Sequence, residues 1–249
     1  MKIKLAPLFK DQKREILSYL ENFDHLGTLI GEGGRNKIKL FELDRKTINI
    51  KSFKIPNTLN QIIYKYFRKS KAERSFIYAQ FLISKNIGTP APIAYAENKL
   101  SLTFRESYYI SEHLDYDLTF RELVTNPEFP QWEEILRAFT RFTFLLHENQ
   151  IEFLDHSPGN TLIQIKENNY QFFLVDLNRM NFRELNFSER MKNFSRLTPK
   201  KEMIQIMSSE YAGLLNRPEE EVFEKMWFYT NKFQESHLRK KRLKKKLKL

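Results

Sequence analysis

The sequence contains no cysteine. Disulfide bridges, thiolate zinc sites and cysteine nucleophiles are therefore excluded, and a reducing cytoplasm fits this composition without being fixed by it. Glycine is scarce, 7 in 249 residues, so each one is worth placing, because few positions of the chain can take a positive φ cheaply. No uninterrupted apolar run approaches the roughly 20 residues that a helix needs to cross a bilayer. Met1 to Lys10 alternates charged with apolar residues and lacks the apolar core of a secretory signal, which gives the expectation of a soluble or peripheral protein. The five histidines, at 25, 113, 147, 156 and 237, form no His-Glu-x-x-His helix, and Ser157 lacks a Gly-x-Ser-x-Gly context. Zinc-hydrolase and serine-hydrolase readings fall away with them.

What is present is globular. Hydrophobic residues make up 41% of the chain and charged residues 29%, and the length suffices for one large domain or two lobes with separate cores. The 22 phenylalanines and 11 tyrosines read as core rather than as base-stacking platforms, because they fall on apolar helix faces. The formal net charge is +11, and much of it is terminal: Arg239 to Lys248 reads RKKRLKKKLK. Such a run is drawn to anionic surfaces, whether acidic lipid, lipopolysaccharide or nucleic acid, or it serves as a solubilising tail. Leu238, Leu243, Leu247 and Leu249 are interleaved with the cations, which allows a helix lying on a membrane surface.

Periodicity orders the chain into a β-rich first half and a helical second half. Residues 7–22 read as a helix with Leu8, Ile16, Leu17 and Leu20 as its apolar stripe. Leu26 to Ile30, Ile38 to Leu43 and Thr47 to Ile55 read as three antiparallel strands, joined by Gly31-Glu32-Gly33-Gly34 and by a tight turn at Asp44-Arg45-Lys46. Helices follow at Leu59 to Phe67 and Lys71 to Lys85, the latter with Phe76, Ala79 and Ile83 on one face, then strands at Ile93 to Ala96 and Tyr108 to Leu114. Asp115 to Thr119 is a polar connection. Gln131 to Glu148 is a long amphipathic helix; strands at Thr161 to Ile165 and Phe172 to Val175 and helices near 188–196, 199–214 and 218–235 complete the chain. The boundaries expected are 1–114 for an N-terminal lobe, 115–235 for a C-terminal lobe and 236–249 for a basic tail.

The chemistry concentrates in Leu154-Asp155-His156-Ser157-Pro158-Gly159-Asn160, after the long helix, and in Leu174-Val175-Asp176-Leu177-Asn178, at the end of a buried strand. Asp155 and Asn160 lie five apart and Asp176 follows sixteen residues later. Phosphoryl transfer asks for one carboxylate to orient a hydroxyl and take its proton, and for hard oxygen ligands around the Mg²⁺ that bridges the phosphates. Asp, Ser, Pro, Gly and Asn are also ordinary turn residues, so the loop alone would not carry this reading; its combination with Asp176 and the preceding helix does. His156 reads as a polar loop residue, with the alternative that it orients Asp155 or touches substrate.

These residues resemble the protein-kinase-like superfamily. The resemblance implies an α+β, two-lobed protein-kinase-like fold, with a β-rich N-terminal lobe and a mostly helical C-terminal lobe that use ATP and Mg²⁺. It implies Asp155 as catalytic base and Asn160 and Asp176 as metal ligands. Phe153 and Leu154 stand where protein kinases carry His and Arg, Asp-Leu-Asn replaces Asp-Phe-Gly at 176–178, and no Ala-Pro-Glu segment follows. Those departures favour the compact small-molecule and carbohydrate kinases. Among them the chain resembles the bacterial lipopolysaccharide kinases, which include the Kdo kinases, from about Leu26 to about Leu197. The resemblance rests on Gly31 to Lys37, Ile50 to Pro56, Arg68 to Ala72, Ile87-Gly88-Thr89-Pro90-Ala91-Pro92 and Asp155 to Leu162. That family phosphorylates inner-core sugars, so the implied partner is a lipid A-Kdo or other lipopolysaccharide acceptor at the inner face of the cytoplasmic membrane. An anionic membrane surface fits the basic tail, and nucleic acid is not expected as a partner.

The same resemblance assigns nucleotide-binding roles in the first half. Gly31, Gly33 and Gly34 resemble a phosphate-covering glycine loop. Lys51, on the third strand, matches the ATP-phosphate lysine and is preferred to Lys54, which faces the other side of the strand. Glu73 is the acidic residue available to pair with that lysine, with a surface charge as its alternative role. Glu112-His113-Leu114 is placed at the interlobe hinge, where backbone groups of Glu112 and Leu114 would read adenine. Two rival functions remain: a kinase of another small glycoside or protein, and a non-catalytic basic adaptor, which would have no use for Lys51, Asp155, Asn160 and Asp176 together.

Overall fold

The computed structural model describes residues 1–31, 36–55, 69–99, 104–167 and 169–246. The helix expected at 59–67, together with Gly33, Gly34 and Arg68, lies outside the described residues, as do Leu247 and Leu249. The chain forms two compact units, Met1–Asp115 with Asp176–Asn178, and Tyr116–Val175 with Arg179–Leu249.

The first unit is built on a six-stranded sheet. Its strands are β1 (Lys2–Leu5), β2 (Thr28–Ile30), β3 (Asn36–Leu43), β4 (Lys46–Phe53), β5 (Pro92–Lys99) and β6 (Phe104–Glu112). Their spatial order is β1-β5-β6-β4-β3-β2, and every neighbouring pair is antiparallel. The β3–β4 hairpin turns on Asp44 and Arg45 alone, flanked by the Leu43↔Lys46 pair. Both take positive φ, 53° and 64°, as a two-residue turn matched to the twist of its strands requires. Alternation along β4 sends Ile48 and Ile50 into one apolar layer, with Ile16 and Leu20 of helix α1 (Lys13–Glu21). It sends Phe53 into the opposite layer, with Ala72 and Phe76 of helix α2 (Lys71–Ser84) and Tyr95. Lys51 therefore lies on the α2 side of the sheet.

Three local details differ from the sequence reading. The segment read as one helix over 7–22 divides into a 3₁₀ turn at Pro7–Phe9 and α1. Lys2–Leu5, unassigned from its pattern, becomes an edge strand because β5 offers it a partner, from Lys2↔Glu97 to Leu5↔Ala94. On α2 the buried stripe is Phe76, Ala79 and Leu82, whereas Ile83 is exposed. The helix closes on Asn86 at φ 56°, with Ile87 N–H donating to the Leu82 carbonyl and Asn86 N–H to that of Ile83. This left-handed closure folds the buried Ile87 back over the last turn.

The second unit carries two short sheets and five helices among the described residues. A three-stranded sheet runs in the order β10-β9-β7, from β7 (Leu118–Thr119), β9 (Thr161–Lys166) and β10 (Asn169–Leu174). A two-stranded ribbon joins β8 (Ile151–Phe153) to β11 (Met180–Phe182). The helices are α3 (Phe120–Thr125), α4 (Trp132–Glu148), α5 (Phe187–Asn193), α6 (Lys201–Leu215) and α7 (Glu219–Lys246). Capping boxes open α3 at Thr119/Glu122 and α5 at Asn186/Glu189, each satisfying amide donors that a helix start leaves free. Ile135, Leu136 and Phe139 of α4 meet Phe120, Phe194, Met203, Met207, Tyr211, Val222 and Met226 in one core. Leu145 of α4 is exposed, and His147 is buried. Helix α7 packs through Val222, Met226 and Thr230, four residues apart, then continues as helix to Lys246 with every described residue from Glu235 onward exposed. The helix read over 218–235 thus extends to Lys246. No described helix is long and apolar enough to cross a membrane.

Candidate active site

The loop after β8 is held open by its ends. Leu154 N–H donates to the carbonyl of Arg179, just before β11 (3.1 Å), and Val175 N–H to that of Asn160 (3.0 Å). Within the loop, Asn160 N–H reaches the Ser157 carbonyl at 2.9 Å, and the Asn160 amide Nδ2 donates to the Asp155 carbonyl at 2.8 Å. Asp155 and Asn160 are thus tied together by a hydrogen bond across the turn. Gly159 sits under a guanidinium: a Cβ there would stand 2.8 Å from Arg121 Nη2.

The Asp155 side chain is largely sheltered, at 16% exposed. Its Oδ1 accepts from Arg196 Nη1 at 2.8 Å and from Arg179 Nη1 at 3.1 Å. Its Oδ2 has no partner among the described residues. Pairing of β8 with β11, Phe153 opposite Met180, is what brings Arg179 beside Asp155. Arg196 arrives from the 3₁₀ turn after α5 and also donates to the Leu154 carbonyl at 2.9 Å. Neither arginine belongs to a motif, although Arg179 directly follows the Asp-Leu-Asn triplet and so is marked by its position.

His156 differs from its reading as a polar loop residue. It is fully buried, with ring centroids of Phe139, Phe153 and Phe194 at 5.3, 5.8 and 6.3 Å. Asn193 Oδ1 receives both His156 Nδ1 (3.2 Å) and His147 Nε2 (3.1 Å), while Asn193 Nδ2 donates to the Phe153 carbonyl at 2.9 Å. The second nitrogen of His147 meets the Tyr211 hydroxyl at 2.7 Å. Burial pulls His156 down to about 4 and His147 down to about 3; the hydrogen bonds to Asn193 oppose this, and the nearby charges of Arg196 and Arg190 add to it. Both imidazoles are neutral at physiological pH, so one amide oxygen can accept from each. The network fixes the residue next to Asp155 from beneath.

In the first unit, Asp176 takes φ 59°, an uncommon conformation for a residue with a side chain, though one that Asp tolerates. Its Oδ1 accepts from Lys51 Nζ at 2.8 Å and from Asn178 Nδ2 at 2.6 Å; Oδ2 is without a partner among the described residues. The Lys51 side chain is 14% exposed, with its ammonium 5.4 Å from the Phe53 ring centre. Among the described residues its ion partner is Asp176 and not Glu73. Glu73 faces the Tyr95 hydroxyl, whose pKa is pushed up to about 12 by burial, by the charges of Glu73 and Glu97, and by the hydrogen bond to Glu73.

The remaining sequence-derived residues lie along the sheet. Gly31 takes φ +75° with no atom within 4 Å of a notional Cβ, so its backbone rather than its packing calls for glycine. At the end of β6, Glu112 N–H donates to Ala91 and His113 N–H to Thr47, both at 2.9 Å. The Glu112 carboxylate pairs with Lys46 at 2.7 Å. The Leu114 N–H has no partner among the described residues. Lys54 donates its backbone N–H to Asn36 Oδ1 at 3.3 Å.

The lipopolysaccharide kinase (Kdo/WaaP) family model matches residues 27–217. Comparison with curated proteins finds no match. Among solved structures, WaaP in complex with acyl carrier protein superposes with a TM-score of 0.66 at 14% identity, covering 95% of this chain and 99% of that one. At that identity the likeness bears on the fold, which is α+β and kinase-like. The family match extends over most of the chain, through the glycine loop, Lys51, the Asp155 loop and Asp176. The chain belongs to the lipopolysaccharide kinase (Kdo/WaaP) family and is a phosphotransferase with an alcohol group as acceptor.

Proposed function

We propose that the protein transfers the γ-phosphate of Mg-ATP to a sugar hydroxyl, on Kdo or heptose, of a lipid-linked lipopolysaccharide inner-core acceptor. The reaction would take place at the inner face of the cytoplasmic membrane, where the basic end of α7 favours an anionic surface. The observation that carries the reading is Asp155, a sheltered carboxylate with one oxygen fixed by two arginines and the other without a described partner. Asp155 takes the proton of the acceptor hydroxyl. The hydroxyl oxygen bonds to the γ-phosphorus, and the bond from that phosphorus to its bridging oxygen breaks, its electron pair leaving with ADP. Lys51 holds the nucleotide phosphates, Gly31, Gly33 and Gly34 cover them, and the backbone at Glu112 and Leu114 receives the base. Glu73 stays a nucleotide-site candidate through Lys51 only if it exchanges Tyr95 for that lysine.

The donor set suits Mg²⁺. The Asn160 amide nitrogen is committed to the Asp155 carbonyl, which leaves its oxygen available, and Asp176 keeps Oδ2 available. A hard cation that retains several waters needs few protein oxygens. Asn160 and Asp176 would hold it, and it would offset charge on the phosphates. Positioning and electrostatics supply most of the rate gain.

The test is transfer of labelled γ-phosphate from Mg-ATP to Kdo-bearing lipid A, comparing the unaltered protein with Asp155→Asn. Label on the lipid with the unaltered protein alone is the expected result. Asp155-dependent labelling of some other acceptor keeps the kinase and removes the lipopolysaccharide assignment; equal labelling by both proteins removes Asp155 as the base.

A further inference from the structure

Asp155 is unevenly matched. Two guanidinium groups converge on its Oδ1, so the cluster of one carboxylate and two arginines carries a surplus positive charge. A third guanidinium, that of Arg121, lies against Gly159 in the same loop. A sheltered carboxylate needs one such partner to be compensated; a second is unspent, and cations in excess at a partly buried site call for an anion.

The two arginines are not equivalent. Arg196 is held in place: it bonds the Leu154 carbonyl as well as Asp155, and its guanidinium lies 5.8 Å from the Phe233 ring centre. Arg179 pairs through its side chain only with Asp155 among the described residues, and that side chain is 54% exposed. It is the arginine free to turn toward a ligand while Arg196 keeps Asp155 in position. Its planar fork matches a carboxylate or phosphate through two parallel hydrogen bonds.

We infer that Arg179 binds an anionic group on the acceptor, next to the hydroxyl that Asp155 deprotonates, and that this group is the carboxylate of an acidic sugar. The inference rests on the proposed function, in which the ligand nearest Asp155 is the acceptor and the nucleotide phosphates have their own cation in Lys51. Of the two inner-core sugar classes, an octulosonic acid carries a carboxylate and a heptose does not, so Arg179 selects the acid.

The deciding experiment is calorimetric titration of the full chain with free Kdo, with its methyl ester, and with inorganic phosphate, using the unaltered protein and Arg179→Gln. Retained nucleotide affinity checks that the variant is folded. The acid should bind at least about tenfold more tightly than the neutral ester, the range of a charge-assisted hydrogen bond, and Arg179→Gln should abolish that preference. Equal binding of acid and ester, no binding of the acid, tighter binding of phosphate than of the acid, or a preference that survives Arg179→Gln each overturns the proposal. Kinetics add a second reading on Kdo-bearing lipid A: the variant should raise KM with kcat little changed. An equal loss of kcat and kcat/KM would instead give Arg179 to the phosphoryl group in flight. If the unaltered protein transfers phosphate to no lipopolysaccharide acceptor, the proposed function fails, while the titration still decides what Arg179 binds.

Discussion

Asp176 and Asp155 are two carboxylates that the same chain treats differently. Each has Oδ1 held by two donors and Oδ2 left without a described partner. Asp176 faces one cation, Lys51, and one neutral amide, Asn178, so its surroundings are balanced in charge, and its backbone sits in a rarely used region, at φ 59°. Asp155 faces two arginines on ordinary loop backbone, and its surroundings are positive. A balanced pair can accept a cation and an anion together, as Mg²⁺ with phosphate, without a net change of charge. A positive cluster gains from an anion alone. Under the proposed function, the contrast would assign Asp176 to the nucleotide and Asp155 to the acceptor.

Substitution of the two carboxylates is the strongest way to break that contrast. Asp155→Asn should lower turnover by about 10²-fold or more with nucleotide affinity retained. Asp176→Asn should weaken Mg-ATP binding by about tenfold or more, since it replaces a carboxylate proposed to hold Mg²⁺ by a neutral amide. Nucleotide titrations with and without Mg²⁺ give the affinities, and a matching profile for the two variants would erase the distinction.

A milder effect comes from acid. His156 and His147 have folded pKa values lowered from 6.5 to about 4 and about 3. The unfolded chain therefore binds protons in a range where the folded one does not, and stability falls as pH drops below about 6.5 and continues to fall toward the folded values. The melting temperature should decline between pH 7 and pH 5, and His156→Phe should flatten that slope; an unchanged melting temperature in the unaltered protein would refute the neutral, buried assignment. The smallest effect belongs to Gly159→Ala. The contact it creates is with the far end of the Arg121 side chain, which can move, so thermal denaturation should register a loss under about 1 kcal/mol.

Features governed by neighbours in sequence were legible. The Asp44-Arg45 turn follows from two alternating runs with a tight polar connection, and the Asp155 loop and its hairpin follow from turn residues set between apolar segments. Features that depend on distant chain were not. Lys2–Leu5 has a strand pattern too short to stand alone and becomes a strand only against β5. Arg196 lies 41 residues from Asp155, and no period of helix or strand links them. His156 looks polar beside Ser157 and Pro158, yet Asn193 supplies its hydrogen bond from 37 residues away, which is what makes burial of the ring affordable. Ile83 fits the helical stripe of α2 on paper, yet Leu82 is the residue covered and Ile83 is exposed.

The exposed end of α7 has a consequence for its own backbone. Arg242 and Lys246 stand one turn apart, as do Lys241 and Lys245, and like charges at that spacing oppose the helix. Among the described residues every side chain from Glu235 onward is exposed, so no buried apolar face compensates them. The helicity of these last turns is therefore coupled to the ionic atmosphere: counter-ions screen the repulsion over about 10 Å at 0.1 M salt, and a polyanion laid alongside would do so more completely, winding the segment more tightly as it binds.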